Sequence, residues 1–532
     1  PPPPGPPCTD CPNIVFLLTD DQDLILGGWD PMNQTKRIIQ PEGAFSTDFY
    51  IHTPICAPSR AQLASGRYFR NIWSSETTPS PAVSSGGVAQ VNLTLAWPYH
   101  IGKLLREQAG YVSGMFGKCM NGDCGRNPSA GNKNLHLMGA FDRWFEHAGY
   151  VNGTFFDNEA RECKWPWVDE TKCSTRTFPG GVWAGKGDGY DTATIGNKSV
   201  EWIKQVASGS RPFFLYLAPH APHSPATPAP WYAEGTFCDN VRAPRVPNYN
   251  FSAPMPTRPV WWWNSTEFHE LVSSQPPFDE TDVEAIDALA SARCKALLSV
   301  DDAWVAVYET IQDLGQLNNT YFLITSDHGY NLGNHMLPSN KFLPFEHSLK
   351  IPMVFAGPGI EKGSKFDFLG TQVDLAPTML GLAGVDTPEI MDGESLVPLL
   401  VKDAETAPGA TSRHLQTAPV PQRSAAFHTY CSQGDWMETT RHVLDDWSNT
   451  YIGVTYRGPH GHYRYTYVDP YLKQSLGSTS NMKMLFDLEK DPYELHNIYN
   501  QTLASNPSLI HELNATTFQY FNCQGPSCRS IH

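Results

Sequence analysis

The sequence predicts an α/β protein with a large central mixed β-sheet flanked by helices, followed by a smaller domain with an antiparallel sheet. Through about the first 400 residues, short apolar segments typical of strands alternate with helical patterns. Two of these segments, 13–19 and 321–325, end in acidic residues, as strands do at the ligand-binding edge of an open α/β sheet. From Tyr451 to Val468, aromatic or β-branched residues alternate with polar ones, which is typical of half-exposed antiparallel strands.

The two acidic strand ends predict a cation site. The first strand runs directly into Asp20 and Asp21, with Asp23 following closely, and the second runs into Asp327 and His328. Adjacent carboxylates repel one another, so a bound cation is the simplest way to keep both ionised. Because oxygen ligands dominate this set, we expect calcium rather than zinc.

Cys56 begins the run CAPSRAQLASGR, residues 56–67. Considered alone, a cysteine in such a run is a buried or disulfide-bonded residue. The pattern Cys-x-Pro-Ser-Arg, followed by Leu and Gly-Arg, resembles the signature of type I sulfatases, with Ser65 where that family more often has Thr. The resemblance implies that a formylglycine-generating enzyme oxidises Cys56 to formylglycine. It also implies that Arg60 steers the hydrated aldehyde toward a sulfate ester.

A second run, GYVSGMFGK at residues 110–118, also resembles a sulfatase signature, and it implies that Lys118 neutralises sulfate oxygens. Many sulfatases have a histidine two residues after this lysine, whereas this chain has Met120. With Asn121, the pattern Lys-x-x-Asn resembles the branch of glucosamine-6-sulfatases and extracellular endosulfatases, which implies substrate binding by Asn121. The usual base for sulfate release is therefore unassigned.

Two histidines lie in the proline-spaced segment APHAPHSP, residues 218–225. The Ala-Pro-His-Ser-Pro pattern of the same branch selects His223 as the general acid that protonates the leaving alcohol. His220 is the alternative for that role and is otherwise expected to bind substrate. Lys341 matches the second active-site lysine of the family, against the simpler interpretation of a surface lysine.

The resemblance covers nearly the whole chain and extends to the metal and the fold. It implies an alkaline phosphatase-like fold and calcium held by Asp20, Asp21, Asp327 and His328, together with the side chain derived from Cys56. The motif at residues 484–494 resembles a C-terminal motif of the family. A strand that leads into an Asp-Pro turn predicts a structural role for it.

Composition divides the chain into four segments. Residues 1–11 are proline-rich and are expected to begin as an extended spacer, and residues 12–401 form the catalytic domain. Residues 402–424, rich in Ala, Pro and Thr, are predicted to link it to the smaller α+β domain at 425–532. The stretch of three tryptophans at 261–263 is either a sugar-binding platform or packed core.

One long helix is well defined by its sequence. Thr281 and Glu284 predict a capping box at its start, an apolar face follows, and Gly315 predicts its end. Asp301 and Asp302 lie inside this helix. Because neighbouring side chains on a helix point in different directions, we expect these two to be ordinary solvated acids.

Nine Asn-x-Ser/Thr sequons predict a glycosylated protein of the secretory pathway. They lie at Asn33, Asn92, Asn152, Asn197, Asn250, Asn264, Asn318, Asn500 and Asn514. Twelve cysteines indicate the same compartment. Close pairs are expected at Cys8/Cys11, Cys119/Cys124, Cys163/Cys173 and Cys523/Cys528. Excluding Cys56 leaves eleven cysteines, an odd number, so at least one of them is expected outside intramolecular disulfides.

The chain begins with Pro1, and we expect that a signal peptide has been removed. Delivery to the extracellular space, to the periplasm or cell wall, or to the lysosome all fit the sequence. No apolar stretch reaches the roughly 18 residues that a membrane span needs.

The formal net charge of −16 constrains the binding partner. Nucleic acids and anionic membranes require a concentrated basic surface, and the sequence has no Lys/Arg run, so both are disfavoured. The same repulsion disfavours a long sulfated polysaccharide held along an extended groove. The expected substrate is a small-molecule or terminal-sugar sulfate ester, such as an aryl sulfate or a 6-O-sulfated sugar.

Two other functions fit the same motifs. A phosphomonoester or phosphonate hydrolase of the same superfamily is distinguished by comparing a sulfate with a phosphate ester of one alcohol. A catalytically silent glycan-binding homologue is the second alternative. A disulfide-rich structural protein is disfavoured, because a hydrophobic content of 40% in 532 residues supports a large core.

Overall fold

The computed structural model describes most of the chain. The described residues are 8–74, 90–121, 126–127, 132–133, 140–147, 159–164, 174–177, 189–250, 268–273, 275–432, 437–438, 441–446, 449–468 and 482–531. Outside them lie the predicted proline spacer at 1–7, the tryptophans at 261–263, the sequons at Asn152 and Asn264, and the second members of two predicted disulfides, Cys124 and Cys173.

A mixed sheet of eleven strands forms the centre of the described structure, as predicted. Strands before residue 400 are β1 (Asn13–Thr19), β2 (Gly43–Tyr50), β3 (Val112–Gly117), β4 (Arg126–Asn127), β5 (Asn132–Lys133), β6 (Arg143–His147), β7 (Glu159–Lys164), β8 (Ser174–Thr177), β9 (Phe213–Ala218), β10 (Thr320–Ser326), β11 (Lys350–Ala356), β12 (Ser364–Lys365) and β13 (Gly370–Thr371). The order is β12-β2-β11-β10-β1-β9-β3-β6-β7-β8, and β13 also pairs with β2. Strands β10, β1, β9, β3 and β6 are parallel, whereas β11 is antiparallel to its neighbours.

Helices cover both faces of this sheet. Those before residue 425 are α1 (Asn33–Ile38), α2 (Cys56–Ser65), α3 (Leu93–Ala96), α4 (Ile101–Ala109), α5 (Asp191–Val206), α6 (Pro230–Ala233), α7 (Glu270–Ser273), α8 (Glu280–Asp313), α9 (Glu346–Leu349), α10 (Leu375–Leu382), α11 (Val397–Leu400) and α12 (Gly409–Thr417). Short 3₁₀ turns occur at Gln40–Glu42, Phe69–Ile72, Trp97–Tyr99, Thr236–Cys238, Leu317–Asn319 and Gln372–Asp374.

The central strand β1 shows why two helical layers are needed. All seven of its residues are buried. Val15 and Leu17 belong to a core shared with α5 and α8, and Phe16 and Leu18 belong to a core shared with α2, α4 and α10. Since successive side chains of a strand point to opposite faces, an uninterrupted apolar run must be covered on both sides.

Two details of helix α8 correct the sequence prediction. The helix begins with Asp279 as its N-cap, and the capping box joins Asp279 to Asp282 rather than Thr281 to Glu284. Asp301 is 2% exposed, and its carboxylate accepts the amide hydrogens of Gln34 and Thr35. Asp301 therefore supplies acceptors for the first turn of α1, and the expectation of a solvated acid is wrong for this residue.

The predicted C-terminal antiparallel sheet is confirmed. The strands after residue 424 are β14 (Ala425–Tyr430), β15 (Met437–Glu438), β16 (Val443–Asp445), β17 (Tyr451–Gly458), β18 (Gly461–Val468) and β19 (Lys483–Asp487), and the helices are α13 (Tyr499–Ser505), α14 (Pro507–Asn522) and α15 (Pro526–Arg529). The sheet order is β14-β17-β18-β19, and every pairing in it is antiparallel.

Strand β17 is buried more fully than its alternating sequence predicts. Its first six residues are all buried, rather than half exposed. Ile452 and Val454 pack in a core with α14, while Tyr451 packs with Phe342 and Phe345 from the segment between β10 and β11. Glu494, from the C-terminal motif, accepts the amide hydrogen of Glu346 at the start of α9 at 2.8 Å. The C-terminal sheet therefore supports the loops around the main sheet, which agrees with the structural role expected for that motif.

The segment predicted to be a linker, 402–424, contains ordered structure. It includes α12, whose Ala410 belongs to the core of the main sheet. Arg423 forms a buried ion pair with Asp374. The segment is therefore packed against the part of the chain that forms the main sheet, and the division into domains stays a prediction.

The described cysteines agree in part with the predicted pairing. Disulfides join Cys8 to Cys11 and Cys523 to Cys528, as predicted. A third, between Cys238 and Cys294, connects a surface loop to α8 and was not predicted. Among the described cysteines other than Cys56, Cys431 lies outside the disulfides, in agreement with the expectation that at least one cysteine does. None of the described helices has the length and apolar content that a bilayer-spanning segment requires.

Candidate active site

Four parallel strands deliver polar side chains to one edge of the sheet. Asp20 follows β1, Lys118 follows β3, Asp327 follows β10, and the segment with His220 and His223 follows β9. Because these strands are adjacent and parallel, their carboxyl ends meet, and residues far apart in the sequence become neighbours. The edge predicted from the acidic strand ends is therefore the edge at which the other candidate residues gather.

Local backbone geometry permits this convergence at the end of β3. Gly117 has a φ of +101°, a region that side chains other than glycine rarely adopt. A Cβ atom at this position would lie 2.1 Å from the carbonyl oxygen of Ala218 on β9. The glycine of the second motif is therefore required for the close approach of β3 and β9 that places Lys118.

Helix α2 places Cys56 and Arg60 at the same edge. Cys56 is the first residue of the helix, and Arg60 lies one turn later on the same face. All ten residues of the helix are buried. The amino end of a helix carries a partial positive charge, which favours negative charge next to position 56.

Asp20 and Asp327 are paired with buried basic groups. Lys118 Nζ lies 2.5 Å from Asp20 Oδ2, and Arg60 Nε donates a hydrogen bond to Asp327 Oδ2 at 2.9 Å. Arg60 Nη2 also lies 3.6 Å from Asp20 Oδ1. No side chain in this group is more than 5% exposed. Removing one partner would leave a buried charge without compensation, a change that typically costs about 3–5 kcal/mol.

Asp21 is held through both its side chain and its backbone. Lys341 Nζ donates to Asp21 Oδ1 at 2.6 Å, which makes Lys341 a buried residue of the site rather than a surface lysine. The φ of Asp21 is +67°, in the left-handed region that non-glycine residues rarely adopt. Its amide donates to Asp327 Oδ1 at 3.0 Å, so the two strand ends are bonded to each other.

The basic groups hold two of the three carboxylates ionised. Burial raises the pKa of Asp20, but the surrounding basic groups outweigh it and hold that pKa well below its ordinary value. Burial also raises the pKa of Asp21, and Lys341 outweighs it, so the pKa falls to about 2. For Asp327 burial dominates and raises the pKa to about 6. Asp327 is therefore the carboxylate that an additional cation would stabilise most.

The Cys56 side chain lies among charged groups rather than apolar ones. Its Sγ is 3.7 Å from Asp20 Oδ1, and the residue is 1% exposed. Burial raises the pKa of the thiol, but Lys118 and Lys341 outweigh burial and hold the pKa well below its ordinary value. A small polar or anionic group at this position is therefore stabilised by its surroundings, and so is an anionic substrate bound next to it.

The strand ends also fit a hard cation. Candidate ligand atoms lie within 4.8 Å of one another in two overlapping sets, Asp20, Asp21, Cys56 and His223, and Asp20, Cys56, Asp327 and His328. His328 Nε2 is buried, has no hydrogen-bond partner within the described structure, and lies 3.4 Å from Asp21 Oδ1 and 3.7 Å from Asp327 Oδ1. Burial lowers the pKa of His328, yet Asp327 raises it to about 9. Oxygen-rich ligands of this kind fit calcium.

The two candidate histidines occupy different positions. His223 Nδ1 bonds to the carbonyl oxygen of Ser224 at 2.6 Å, and its Nε2 lies 3.9 Å from Asp21 Oδ2. His220 instead pairs through Nδ1 with Asp191 Oδ2 at 3.0 Å. Burial lowers the pKa of His223, but the two neighbouring aspartates raise it above its ordinary value. Of the two histidines, His223 is the one whose ring lies beside Asp20, Asp21 and Cys56.

Of the described residues directly after Lys118, which are 119–121, Asn121 offers a polar atom and none is a titratable base. Met120 is 6% exposed and packs in the core of the main sheet. Asn121 has a buried Oδ1 with no hydrogen-bond partner among the described residues. A buried acceptor of this kind is normally paired with a ligand or water, and the substrate-binding role of Asn121 stays a prediction.

Two residues that support Asp327 were not among the predicted site residues. Ser59 donates to the carbonyl oxygen of Asp327, and Gln372 Nε2 donates to Ser59 Oγ at 2.5 Å and to the same carbonyl at 3.2 Å. Ser59 lies within the Cys56 motif and was recognisable there. Gln372 belongs to no local pattern. Asp23 does not join the cation site, because its carboxylate caps the amides of Leu26 and Gly28.

Comparison with known proteins gives the family. A profile described as Sulfatase matches residues 12–385. The chain belongs to the sulfatase family. N-acetylglucosamine-6-sulfatase of Homo sapiens is 28% identical over 537 residues, covering 98% of this chain and 86% of the human protein. An arylsulfatase of Chlamydomonas reinhardtii is 26% identical over 556 residues, covering 98% of this chain and 76% of the algal protein.

A solved structure described as a complex with its substrate D-glucosamine-2-N,6-O-disulfate has a similar fold. It has a TM-score of 0.65 and 20% identity, and the match covers 96% of this chain and 98% of that one. The profile and the named relatives confirm the predicted family and reaction, and the solved structure confirms the predicted fold. This sulfatase hydrolyses sulfate esters, and the edge of the sheet that carries Cys56 has the buried cations that such a reaction requires.

The geometry predicts different effects for the two histidines of this sulfatase. His223→Ala should reduce kcat by about 10²- to 10⁴-fold for sugar sulfates, which have poor leaving groups, and much less for activated aryl sulfates. His220→Ala is the matched control, and it should reduce both rates by similar factors because His220 faces Asp191. The measurement is kcat for a series of sulfate esters with different leaving groups. A leaving-group dependence confined to His220→Ala would reverse the assignment.

Proposed function

We propose that this sulfatase acts through a formylglycine derived from Cys56. Support comes from the position of the thiol, which lies at the first residue of α2 among Lys118, Lys341 and His223. When formed, the group supplies an aldehyde whose hydrate offers a hydroxyl as nucleophile. Since Cys56 is 1% exposed in the folded chain, a formylglycine-generating enzyme would have to act before folding is complete.

The surrounding residues have distinct roles in this proposal. Lys118, Lys341 and Arg60 neutralise the negative oxygens of the sulfate group and orient it toward position 56. His223 donates a proton from Nε2 to the leaving alcohol. His220, paired with Asp191, positions the segment that carries His223 and contributes to substrate binding together with Asn121. The base for sulfate release remains unassigned.

Calcium is the proposed metal. Asp20, Asp21, Asp327, His328 and the modified residue 56 would hold it. When bound, it supplies positive charge that lowers the cost of ionising a hydroxyl and of gathering sulfate oxygens at this edge. The buried carboxylates support the assignment, and so does the buried Nε2 of His328, which lies 3.4 Å from Asp21 Oδ1 and has no hydrogen-bond partner among the described residues.

We propose terminal 6-O-sulfated hexosamine or hexose units and small aryl sulfates as substrates. The names of the human and algal relatives support these two classes, as does the 6-O-sulfated sugar in the similar solved structure. The net charge of −16 disfavours long polyanionic chains, whereas the buried cations at position 56 attract one sulfate group. Action at chain ends is therefore favoured over action in the interior of a polymer.

A secreted, lysosomal or cell-wall location is proposed on chemical grounds. The three described disulfides persist only in oxidising compartments. Of the predicted glycosylation sites, Asn33, Asn318 and Asn500 are exposed. Asn250 is 5% exposed, and its Oδ1 accepts the amide hydrogen of Phe278, so it is a poor acceptor for a glycan in the folded chain.

Metal removal should abolish activity. Exhaustive chelation should remove turnover, and calcium should restore it more effectively than zinc. Asp20→Asn should weaken calcium affinity at least about a hundredfold, because a charged ligand is lost. Asp30→Ala, which changes an exposed acid in the same loop, is the control and should retain affinity. Full turnover after chelation, with no metal detected by mass spectrometry, would contradict the proposal.

Substrate preference is tested by sulfate release across a salt series. The compounds are a 6-sulfated hexosamine, an aryl sulfate, the phosphate ester of the same phenol, and an intact sulfated polysaccharide. We expect the two small sulfate esters to be hydrolysed best, and polymer turnover to rise slightly with salt as repulsion is screened. A strong preference for the polymer that falls steeply with salt would show an extended cationic surface, and preference for the phosphate ester would favour the alternative function.

A further inference from the structure

Arg293 is a buried cation that contacts the candidate active site but not the reacting position. It lies in the middle of α8 and is 3% exposed. One of its nitrogens, Nη2, donates to the carbonyl oxygen of Asp21 at 2.7 Å and to Asp23 Oδ1 at 2.8 Å. Helix α8 is 34 residues long and packs across one face of the sheet. Arg293 therefore connects a long, well-supported helix to the loop after β1.

The contact with Asp21 is made where the backbone needs support. Asp21 has its φ at +67°, in the left-handed region that residues other than glycine rarely adopt. Its amide is bonded to Asp327 Oδ1 and its carbonyl oxygen to Arg293. Both polar groups of the Asp21 backbone are thus held by charged side chains. These bonds fix the direction in which the Asp21 carboxylate points.

Two further loops converge on the same guanidinium. Its central carbon lies 3.9 Å from the centre of the Tyr330 ring, which follows the β10 strand end. Nη1 lies 3.5 Å from the carbonyl oxygen of Pro222, the residue before His223. Tyr330 also approaches Ser224, with 3.4 Å between the two hydroxyl oxygens. One side chain therefore contacts the loops that carry Asp21, His223 and the Asp327 strand end.

We propose that Arg293 is a positioning residue of this sulfatase. It fixes the Asp21 carboxylate and the His223 segment relative to each other, and it acts through them without touching substrate. The planar guanidinium is suited to this role because it donates to several acceptors while its face packs on an aromatic ring. The effect of Arg293 on metal affinity depends on the calcium site proposed above. Its effect on the rigidity of the two loops does not depend on that site.

Electrostatics and positioning predict opposite effects of losing Arg293. If the residue acts only as a charge, Arg293→Met removes a cation near a cation site, so calcium should bind as tightly as before or more tightly. Arg293→Lys keeps the charge and should then change nothing. If the residue acts by positioning, both variants should bind calcium more weakly. A lysine ammonium cannot donate to several acceptors in a fixed planar geometry, and it cannot stack on the Tyr330 ring.

The test compares calcium dissociation constants of the purified full-length protein. We expect a weakening of about 10- to 100-fold for Arg293→Met, the range typical of residues that orient metal ligands, and a smaller weakening for Arg293→Lys. Lys295→Met is the matched control, since it removes a cation from the same helix that pairs with Asp239 at 2.8 Å. That variant should keep the affinity of the parent protein. Unchanged or tighter calcium binding in both Arg293 variants would overturn the proposal.

Hydrogen–deuterium exchange in the absence of calcium provides a second readout. Peptides covering 18–24 and 219–226 should exchange faster in both Arg293 variants, while those covering the β17–β18 hairpin should not change. If the parent protein binds no calcium, the metal assignment fails, and the exchange data still decide the role of Arg293. Unchanged exchange in both loops would contradict the positioning role. Faster exchange throughout the chain would also contradict it, because it would show a general loss of stability.

Discussion

Three carboxylates buried at the carboxyl edge of the sheet determine how the remainder of the active site is built. An ionised carboxylate is unstable in a protein interior unless it is paired and hydrogen-bonded. Asp20, Asp21 and Asp327 therefore require cations, and the chain brings Lys118, Lys341 and Arg60 to them from three separate segments. The same cations hold a sulfate group in the proposed mechanism. The interaction that makes the site stable is thus also the one that makes it able to bind an anion.

Most features that depend on local sequence were predicted well, although the capping box of α8 begins two residues before the predicted position. The short apolar runs that end in acidic residues were correctly predicted to be strands, and they form β1 and β10. The Cys56 and Lys118 motifs lie where the ends of those strands meet. Features that depend on tertiary packing were predicted less well. Asp301 was expected in solvent but caps α1, and β17 was expected to be half exposed but is covered on both faces. In both cases the deciding contact comes from a segment that is remote in sequence.

The supporting residues of the site show the same limit. Gln372 and Arg293 belong to no motif, yet each contacts the backbone of a residue at a strand end. A single buried polar side chain belongs to no periodic pattern and to no motif with a fixed spacing. The sequence therefore does not indicate which residue it contacts. The overall charge is similarly uninformative about the site, because a chain with a net charge of −16 has a local concentration of basic side chains around Cys56.

The proposed mechanism requires that the residue at position 56 of the active enzyme is an aldehyde and not a thiol. Mass spectrometry of the peptide that contains position 56, prepared from fully active protein, tests it most directly. We expect a formylglycine peptide that reacts with a hydrazide and resists iodoacetamide. Finding only unmodified Cys56, alkylated in full by iodoacetamide in protein with full sulfatase activity, would contradict the mechanism.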